Sequence, residues 1–506
     1  HAGGGGEGGP VLACGLACSE ILSGRNLARV LRASHDVEAQ ALLALADDDA
    51  APTLSLHTSA GITPALPRFL DALTPCLPAD WQQTWRQHQD GDDSCVSLQV
   101  TGADAVWAAA DLLLQLQAAR GNGKRNRVAV ADYSYHGPGV SAFGRAAPLG
   151  EAFKSPLQVR YPCPSMFARH ADEVDVEAFH TRLLGQFSQF LDSETGQSVG
   201  VLLVEPQWGS SNVAQPWNPA LLRQYVELAQ ERGILVCSDE IMCGLGRHGK
   251  GTIFLSDAWD IPVDAVTFGK SIAAGVEPLA GVALRHGARE LSEAGMTTLQ
   301  SHTYCGASTR ALTTAVEVLS ALSASDNSDD EDHNLMARVA DVGNRVLQRV
   351  FQDLRDASGG MLGVQGQGFM WGGAFLHYDP IERAAAAHLF RDHCVEERVM
   401  PYIVPESGGF MFTPVYDVPE KDLLEAGRRL GAALEKTAKV LREDRQWDQG
   451  LATDNLAADP DNAMLALAQP VCVGIRSKPS PLCSEKLRGL PPRYKGPIHP
   501  GDSMTR

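Results

Sequence analysis

The stretch Ile234-Leu-Val-Cys-Ser-Asp-Glu-Ile-Met-Cys-Gly-Leu-Gly-Arg247, followed after a short connection by Ala265-Val-Thr-Phe-Gly-Lys-Ser271, decides the reading of this chain. The apolar run Ile234 to Cys237 predicts a buried strand that delivers Asp239 and Glu240 at its C-terminal end, where open α/β sheets put their ligands. A second apolar run, Ala265 to Phe268, predicts a neighbouring strand and delivers Lys270. A lone Gly-Lys usually reads as a surface lysine and a lone Asp-Glu as a solvated turn. Both readings fail together here, because each pair ends a buried strand. A carboxylate and an amine so placed suit an aldehyde cofactor with a ring nitrogen: the lysine forms the Schiff base and the aspartate holds the ring proton. The expected cofactor of that kind is pyridoxal 5'-phosphate.

The same residues resemble the class III pyridoxal-phosphate-dependent aminotransferases, a branch of fold type I. The family pattern Asp-Glu-Val-x-x-Gly-x-Gly-Arg is met by Asp239-Glu240-Ile241-Met242-Cys243-Gly244-Leu245-Gly246-Arg247, and the lysine follows in Gly269-Lys270 after Thr267. The gap from Asp239 to Lys270 is 270 − 239 = 31 residues, similar to the family's. The resemblance runs over roughly residues 50 to 440, the span of a large enzyme.

Further motifs follow in the family's order. Thr101-Gly102-Ala103-Asp104 stands between a strand over Val96–Val100 and a helix over Ala103–Ala119, and exposed amides at such a helix start can hold a phosphate. The resembling motif, Ser-Gly-Ser-Glu-Ala-Asn, makes Gly102 and Ala103 the phosphate-contacting pair, although Ala103 lacks the usual hydroxyl and Val106 replaces the Asn. Tyr135-His136-Gly137 matches the family's Tyr/Phe-His-Gly, which implies that Tyr135 stacks on the cofactor ring with His136 beside it. Ile241, within the Asp-Glu motif, is carried over as a cofactor contact. Glu205-Pro206 closes the apolar run Val199–Val204, and Glu205 resembles a carboxylate that lines the substrate side in many members. Capping a helix or satisfying a neighbouring arginine is an equally good reading of it. Thr303 takes the place of a threonine that reaches the cofactor phosphate of the neighbouring subunit, with Ala307-Ser308 where the family has Asn-Pro. That role implies a homodimer.

Composition bounds the alternatives. With 506 residues, 44% hydrophobic and 21% charged, the chain can bury a large core. Its formal charge of −18, from 43 Lys+Arg against 61 Asp+Glu, repels phosphate backbones and anionic lipid, so neither nucleic acid nor membrane is an expected partner. The 11 cysteines are scattered without C-x-x-C or zinc spacing, which predicts reduced intracellular thiols, cytoplasmic or in an organelle matrix, and no metal. No apolar run is long enough to span a bilayer. The chain opens on His1, as expected of a processed or truncated product.

Strands alternating with helices predict an α/β fold: a large domain over 50–325 with a mostly parallel sheet, then a smaller α+β C-terminal domain over 333–442. The acidic run Ser323–Asp332 marks the boundary. Residues 1–49 form a separate segment, low-complexity at His1–Pro10 and helical from Leu22 to Leu45, and 443–506 an irregular tail. Asp417 and Glu420 are spaced as a capping box for the closing helix, with Pro419 in its first turn.

The expected activity is transfer of an amino group from a small-molecule amine or amino acid to a keto acid or aldehyde. An aminomutase of the glutamate-1-semialdehyde type is the alternative that Met242 favours, and an inactive scaffold the one that Ala103, Val106 and Ala307 favour. Many class III members carry Arg-x-x-Pro before the closing helix, and this arginine grips a substrate carboxylate through two hydrogen bonds. Here Met411 precedes Phe412-Thr413-Pro414, so the pocket lacks that clamp unless Arg247 or an N-terminal arginine substitutes. The expected donor is therefore an amine, or an ω-amino compound whose carboxylate is distant.

Overall fold

A computed structural model describes residues 12–15, 21–45, 63–78, 81–82, 95–131, 134–137, 157–164, 176–295, 308–323, 334–377, 379–444 and 447. Strands β1 (Leu12–Gly15), β2 (Cys95–Gln99), β3 (Arg127–Ala131), β4 (Gln158–Tyr161), β5 (Val199–Val204), β6 (Leu235–Asp239), β7 (Ala265–Phe268), β8 (Ala280–Leu284), β9 (Leu362–Gln367), β10 (Met370–Phe375), β11 (Val399–Val404) and β12 (Gly409–Phe412) divide between two sheets.

The larger sheet has the order β2-β8-β7-β6-β5-β3-β4. Its pairings are parallel from β4 through β3, β5 and β6 to β7, while β8 runs antiparallel to both β7 and β2. Strand β2 therefore points the same way as β3 to β7, and all their C-terminal ends lie on one edge. The central strand β5 is apolar throughout because both its faces are covered. In β5, Val201 and Leu203 join the cluster under the helix Gly102–Ala119, while Leu202 and Val204 join the cluster holding Phe187 and Tyr225. Gly200 is required for a close approach, since a Cβ there would lie 2.2 Å from the Arg125 carbonyl oxygen. The helices start at the expected signals: Thr101 accepts from the Asp104 amide, and Asn218 accepts from the Leu221 amide ahead of Pro219.

The smaller sheet has the order β1-β11-β12-β10-β9 and is antiparallel except where β1 joins β11. Segments from both ends of the chain thus share one sheet. The expected C-terminal strands and helices are present, the latter at Pro380–Glu396 and Glu420–Glu443. The residues 1–10, 324–332 and the tail beyond 447 lie outside those described.

The capping box is corrected. The helix Glu420–Glu443 begins behind Pro419 with no side-chain cap. Asp417 instead accepts from the Ser23 amide (3.0 Å), the Ser23 hydroxyl (2.6 Å) and Asn26 Nδ2 (3.2 Å), at the start of the helix Gly24–Leu45. Those donors come from 391 or more residues away, and sequence spacing cannot register a cap supplied across the fold.

Candidate active site

Five of the parallel strands end at a residue that the sequence singled out. Gly102 follows β2, His136 follows β3, Glu205 follows β5, Asp239 ends β6 and Lys270 follows β7. Helix Gly102–Ala119 begins at this edge, so its first amides, those of Gly102 and Ala103, lie at the positive end of the helix dipole. Val106, in the family's Asn position, is buried in the apolar cluster under this helix.

Asp239 is the most heavily bonded of these groups. Its Oδ2 lies 2.7 Å from His136 Nδ1, and its Oδ1 accepts from the Ile241 amide (3.1 Å) and the Thr267 hydroxyl (3.2 Å). Thr267 stands directly opposite Asp239 in the β6–β7 register, which brings Lys270 close in sequence to the carboxylate's partner. The Thr267 bond was not anticipated, though a lone hydroxyl residue in an otherwise apolar strand is the signal for it.

His136 is buried. Burial works to lower its pKa, but the hydrogen bond and charge of Asp239, with the charge of Glu205, more than offset this and leave it raised. Its Nε2 is buried and has no partner among the described residues. Glu205 accepts from the Tyr135 amide (3.0 Å) through Oε1 and from the Gly209 amide (3.3 Å) through Oε2. Burial pushes its carboxyl up to about 7, with His136 opposing and Asp239 adding to the rise. The alternative reading of Glu205, a partner for a neighbouring arginine, is not met among the described residues; the charges acting on it are His136 and Asp239. Tyr135 keeps 39% of its surface exposed, leaving its ring open to a ligand.

Ile241 sits between the two strand ends. A Cβ on Gly102 would lie 2.8 Å from Ile241 Cγ2, and one on Gly269 would lie 2.9 Å from Ile241 Cδ1. The two glycines let the isoleucine enter the crevice between the helix start and the lysine. Lys270 itself has φ +41°, a left-handed conformation uncommon for non-glycine residues.

The residues here fit pyridoxal phosphate. A carboxylate oxygen with one lone pair to spare, an imidazole with an orphaned nitrogen, an open aromatic ring, a helix start and a strained lysine converge on one edge. Thr303 lies outside the described residues. Among the described residues no group of three or more His, Cys, Asp or Glu could hold a metal ion.

The smaller sheet packs against the segments that follow β5 and β6 at this edge. Met411 pairs with Gly372 and Tyr402 and is fully buried with Val213, Cys243 and Met370. Arg247, the expected substitute clamp, does not take that part. It is fully buried, donates to the carbonyls of Phe369 (3.3 Å) and Pro414 (3.0 Å), and lies 5.2 Å above the Tyr416 ring. Its charge is used to join the two sheets rather than to face a ligand.

The family model for class III aminotransferases matches residues 69–395. Among curated relatives, vanillin aminotransferase of Capsicum frutescens is 28% identical over 187 residues, 36% of this chain and 40% of that protein. The 4-aminobutyrate aminotransferase of Escherichia coli is 28% identical over 256 residues, 49% of this chain and 53% of that protein. The matches thus span about half or less of these relatives' lengths. The crystal structure of an omega-transferase from Vibrio fluvialis superposes with a TM-score of 0.68 at 18% identity, covering 84% of this chain and 93% of that one. A pyridoxamine-phosphate (PMP)-bound aminotransferase structure from the same organism gives 0.65 at 18% identity, covering 82% and 91%. At these identities the superpositions establish the fold. Among the described residues, no helix is long and apolar enough to cross a membrane.

Proposed function

This chain belongs to the class III aminotransferases, and from that premise we propose that it transfers an amino group from an amine to a keto acid or aldehyde with pyridoxal 5'-phosphate at the edge described above. The observation that carries the reading is the 2.7 Å contact of Asp239 with His136, at a strand end whose neighbour delivers Lys270. When bound, the cofactor supplies an aldehyde and an electron-accepting ring. Asp239, whose orientation is fixed by His136, Thr267 and the Ile241 amide, would hold a proton at the ring nitrogen. Lys270 would hold the cofactor through its Nζ, the amine that condenses with an aldehyde with loss of water, and once freed that same amine would be the base that moves a proton at the substrate carbon. Tyr135 and Ile241 would contact the ring, and the amides of Gly102 and Ala103 at the helix start would receive the phosphate. Thr303 acts from the partner of a homodimer.

The donor is an amine, or an ω-amino compound with a distant carboxylate. The buried apolar setting of Met411 and the two carbonyl bonds of Arg247 support this, since neither position offers a free guanidinium. The test is to reconstitute the protein with pyridoxal phosphate and follow its visible band. Borohydride should fix the label on Lys270, Lys270→Ala should lose turnover while still folding, and simple amines should discharge the band faster than common α-amino acids. Turnover at the parent rate in Lys270→Ala overturns the mechanism. A faster response to α-amino acids overturns the donor class alone.

A further inference from the structure

The segment between β5 and the helix Pro219–Glu231 holds two consecutive non-glycine residues in the left-handed region, Val213 (φ +51°) and Ala214 (φ +63°). A β-branched residue there is strained, and such strain persists only where its surroundings impose it. The surroundings are side chains aimed at the segment's carbonyls. Ser407 Oγ lies 3.0 Å from the Ser210 oxygen and 2.8 Å from the Ser211 oxygen, sharing its one proton between them. Gln365 Nε2 uses its two hydrogens on the oxygens of Asn212 (2.8 Å) and Val213 (3.0 Å). Gln207 Nε2 reaches the Ala214 oxygen (2.9 Å) and also Met370 O (3.0 Å) in β10. Five successive carbonyls are thus held, four of them by residues attached to the smaller sheet.

Two features show that this grip is built in. Gln365 is buried and leaves its own Oε1 without a partner among the described residues, a cost accepted for its two donated bonds. Gly372 makes room for the strained valine, because a Cβ on it would lie 2.6 Å from Val213 Cγ1. The held segment in turn begins at Gly209, whose amide binds Glu205 Oε2, while Glu205 Oε1 binds the Tyr135 amide next to His136.

We infer that Gln365 and Ser407 are positioning residues: from the smaller sheet they hold the strained segment 210–214 so that Glu205 keeps its carboxyl beside Tyr135 and the His136–Asp239 pair. The inference rests on the reading of this edge as the cofactor site. The titratable groups around Glu205 among the described residues are His136 and Asp239, with the thiol of Cys243, which burial holds well above its ordinary range. Removing the charge of Glu205 withdraws one of the influences that raise His136, so His136 should titrate at lower pH.

The experiment titrates the visible band of the reconstituted holoprotein between about pH 5 and 9. Glu205→Gln should move the midpoint by about one pH unit. Gln365→Leu/Ser407→Ala should move it in the same direction, and adding Glu205→Gln to that pair should move it little further, because the three act as one chain. Ser407→Thr keeps the hydroxyl and should titrate as the parent, whereas Ser407→Ala should not; this pair tests the inference even if the double variant fails to fold. If Gln365→Leu/Ser407→Ala titrates as the parent while Glu205→Gln shifts, the two residues do not position the site and the inference falls. If Glu205→Gln leaves the midpoint in place, it falls as well. If the parent forms no visible band with pyridoxal phosphate, the underlying reading of the site fails first.

Discussion

Two walls meet at the edge of the larger sheet, and they are fixed by different means. On the cofactor wall, Asp239 is bonded by groups from three neighbouring chain segments: His136, Thr267 and its own Ile241 amide. Each of these is delivered by strand register, so the wall follows from the pairing of β3, β5, β6 and β7. On the wall where the smaller sheet packs, Met411 and Arg247 are set by contacts between the two sheets. Here the chain departs from the family pattern with methionine at 411, while Arg247, which matches it, turns its guanidinium to backbone carbonyls. Register tolerates little variation, because a one-residue slip moves a strand's whole set of side chains to the other face. Contacts between sheets carry no such register, and on that wall the neighbours of position 411 are packed around its methionine.

The sharpest way to break this comparison is Met411→Arg. If the facing wall differs from the family at one replaceable side chain, the variant should fold normally and gain activity toward α-amino acids. The expected outcome is the opposite. Met411 is sealed among Val213, Cys243 and Met370, so a guanidinium placed there is a buried charge without a partner, which costs about 3–5 kcal/mol. Urea unfolding should show that loss, with no gain in α-amino acid turnover.

The cofactor wall is probed by Asp239→Asn. The carboxamide keeps the shape but removes the charge that faces His136 and that we propose meets the ring nitrogen. Turnover should fall on the order of 10²- to 10³-fold, the cost of losing one placed electrostatic contact. A steady-state rate equal to the parent's would mean that the proton at the ring is held by another group.

The same division explains what could be read from the sequence. Asp239 and Lys270 were legible because the strands delivering them are buried on both faces, and continuous apolar runs record that. Ile241 was legible only as part of a motif; that it needs Gly102 and Gly269 for room is a fact of three segments meeting. Asp417 shows the limit. Its spacing to Glu420 has the form of a local cap, yet its donors come from Ser23 and Asn26. A hydrogen bond across the fold leaves no period in the sequence, so the roles of Gln365 and Ser407 and the burial of Arg247 were not legible either.

The smallest effect concerns Glu240, which belongs to the family motif but serves the wall rather than the chemistry. It is buried, and its Oε1 accepts from Ser256 N (2.9 Å), Ser256 Oγ (2.5 Å) and Ser238 Oγ (3.1 Å), while Oε2 accepts from Leu255 N (2.5 Å). The carboxylate thereby ties the end of β6 to the one-turn helix Leu255–Ala258. Burial pushes its pKa from the ordinary 4.5 up to about 7, against the pull of these donors. Between those two values the folded protein holds a proton that the unfolded chain has released. Stability must then fall as pH rises through this window, by at most roughly 3 kcal/mol, and level off above it. Glu240→Gln cannot titrate, so its urea midpoint should vary less between about pH 5 and 7 than the parent's. It should also lose about 1–3 kcal/mol at the low end, because its amide nitrogen must face a backbone or hydroxyl donor. The two curves should therefore converge as pH rises toward 7. Parallel curves would show that the donors win over burial and that Glu240 stays ionised throughout, making it a charged staple of the cofactor wall rather than a protonated one.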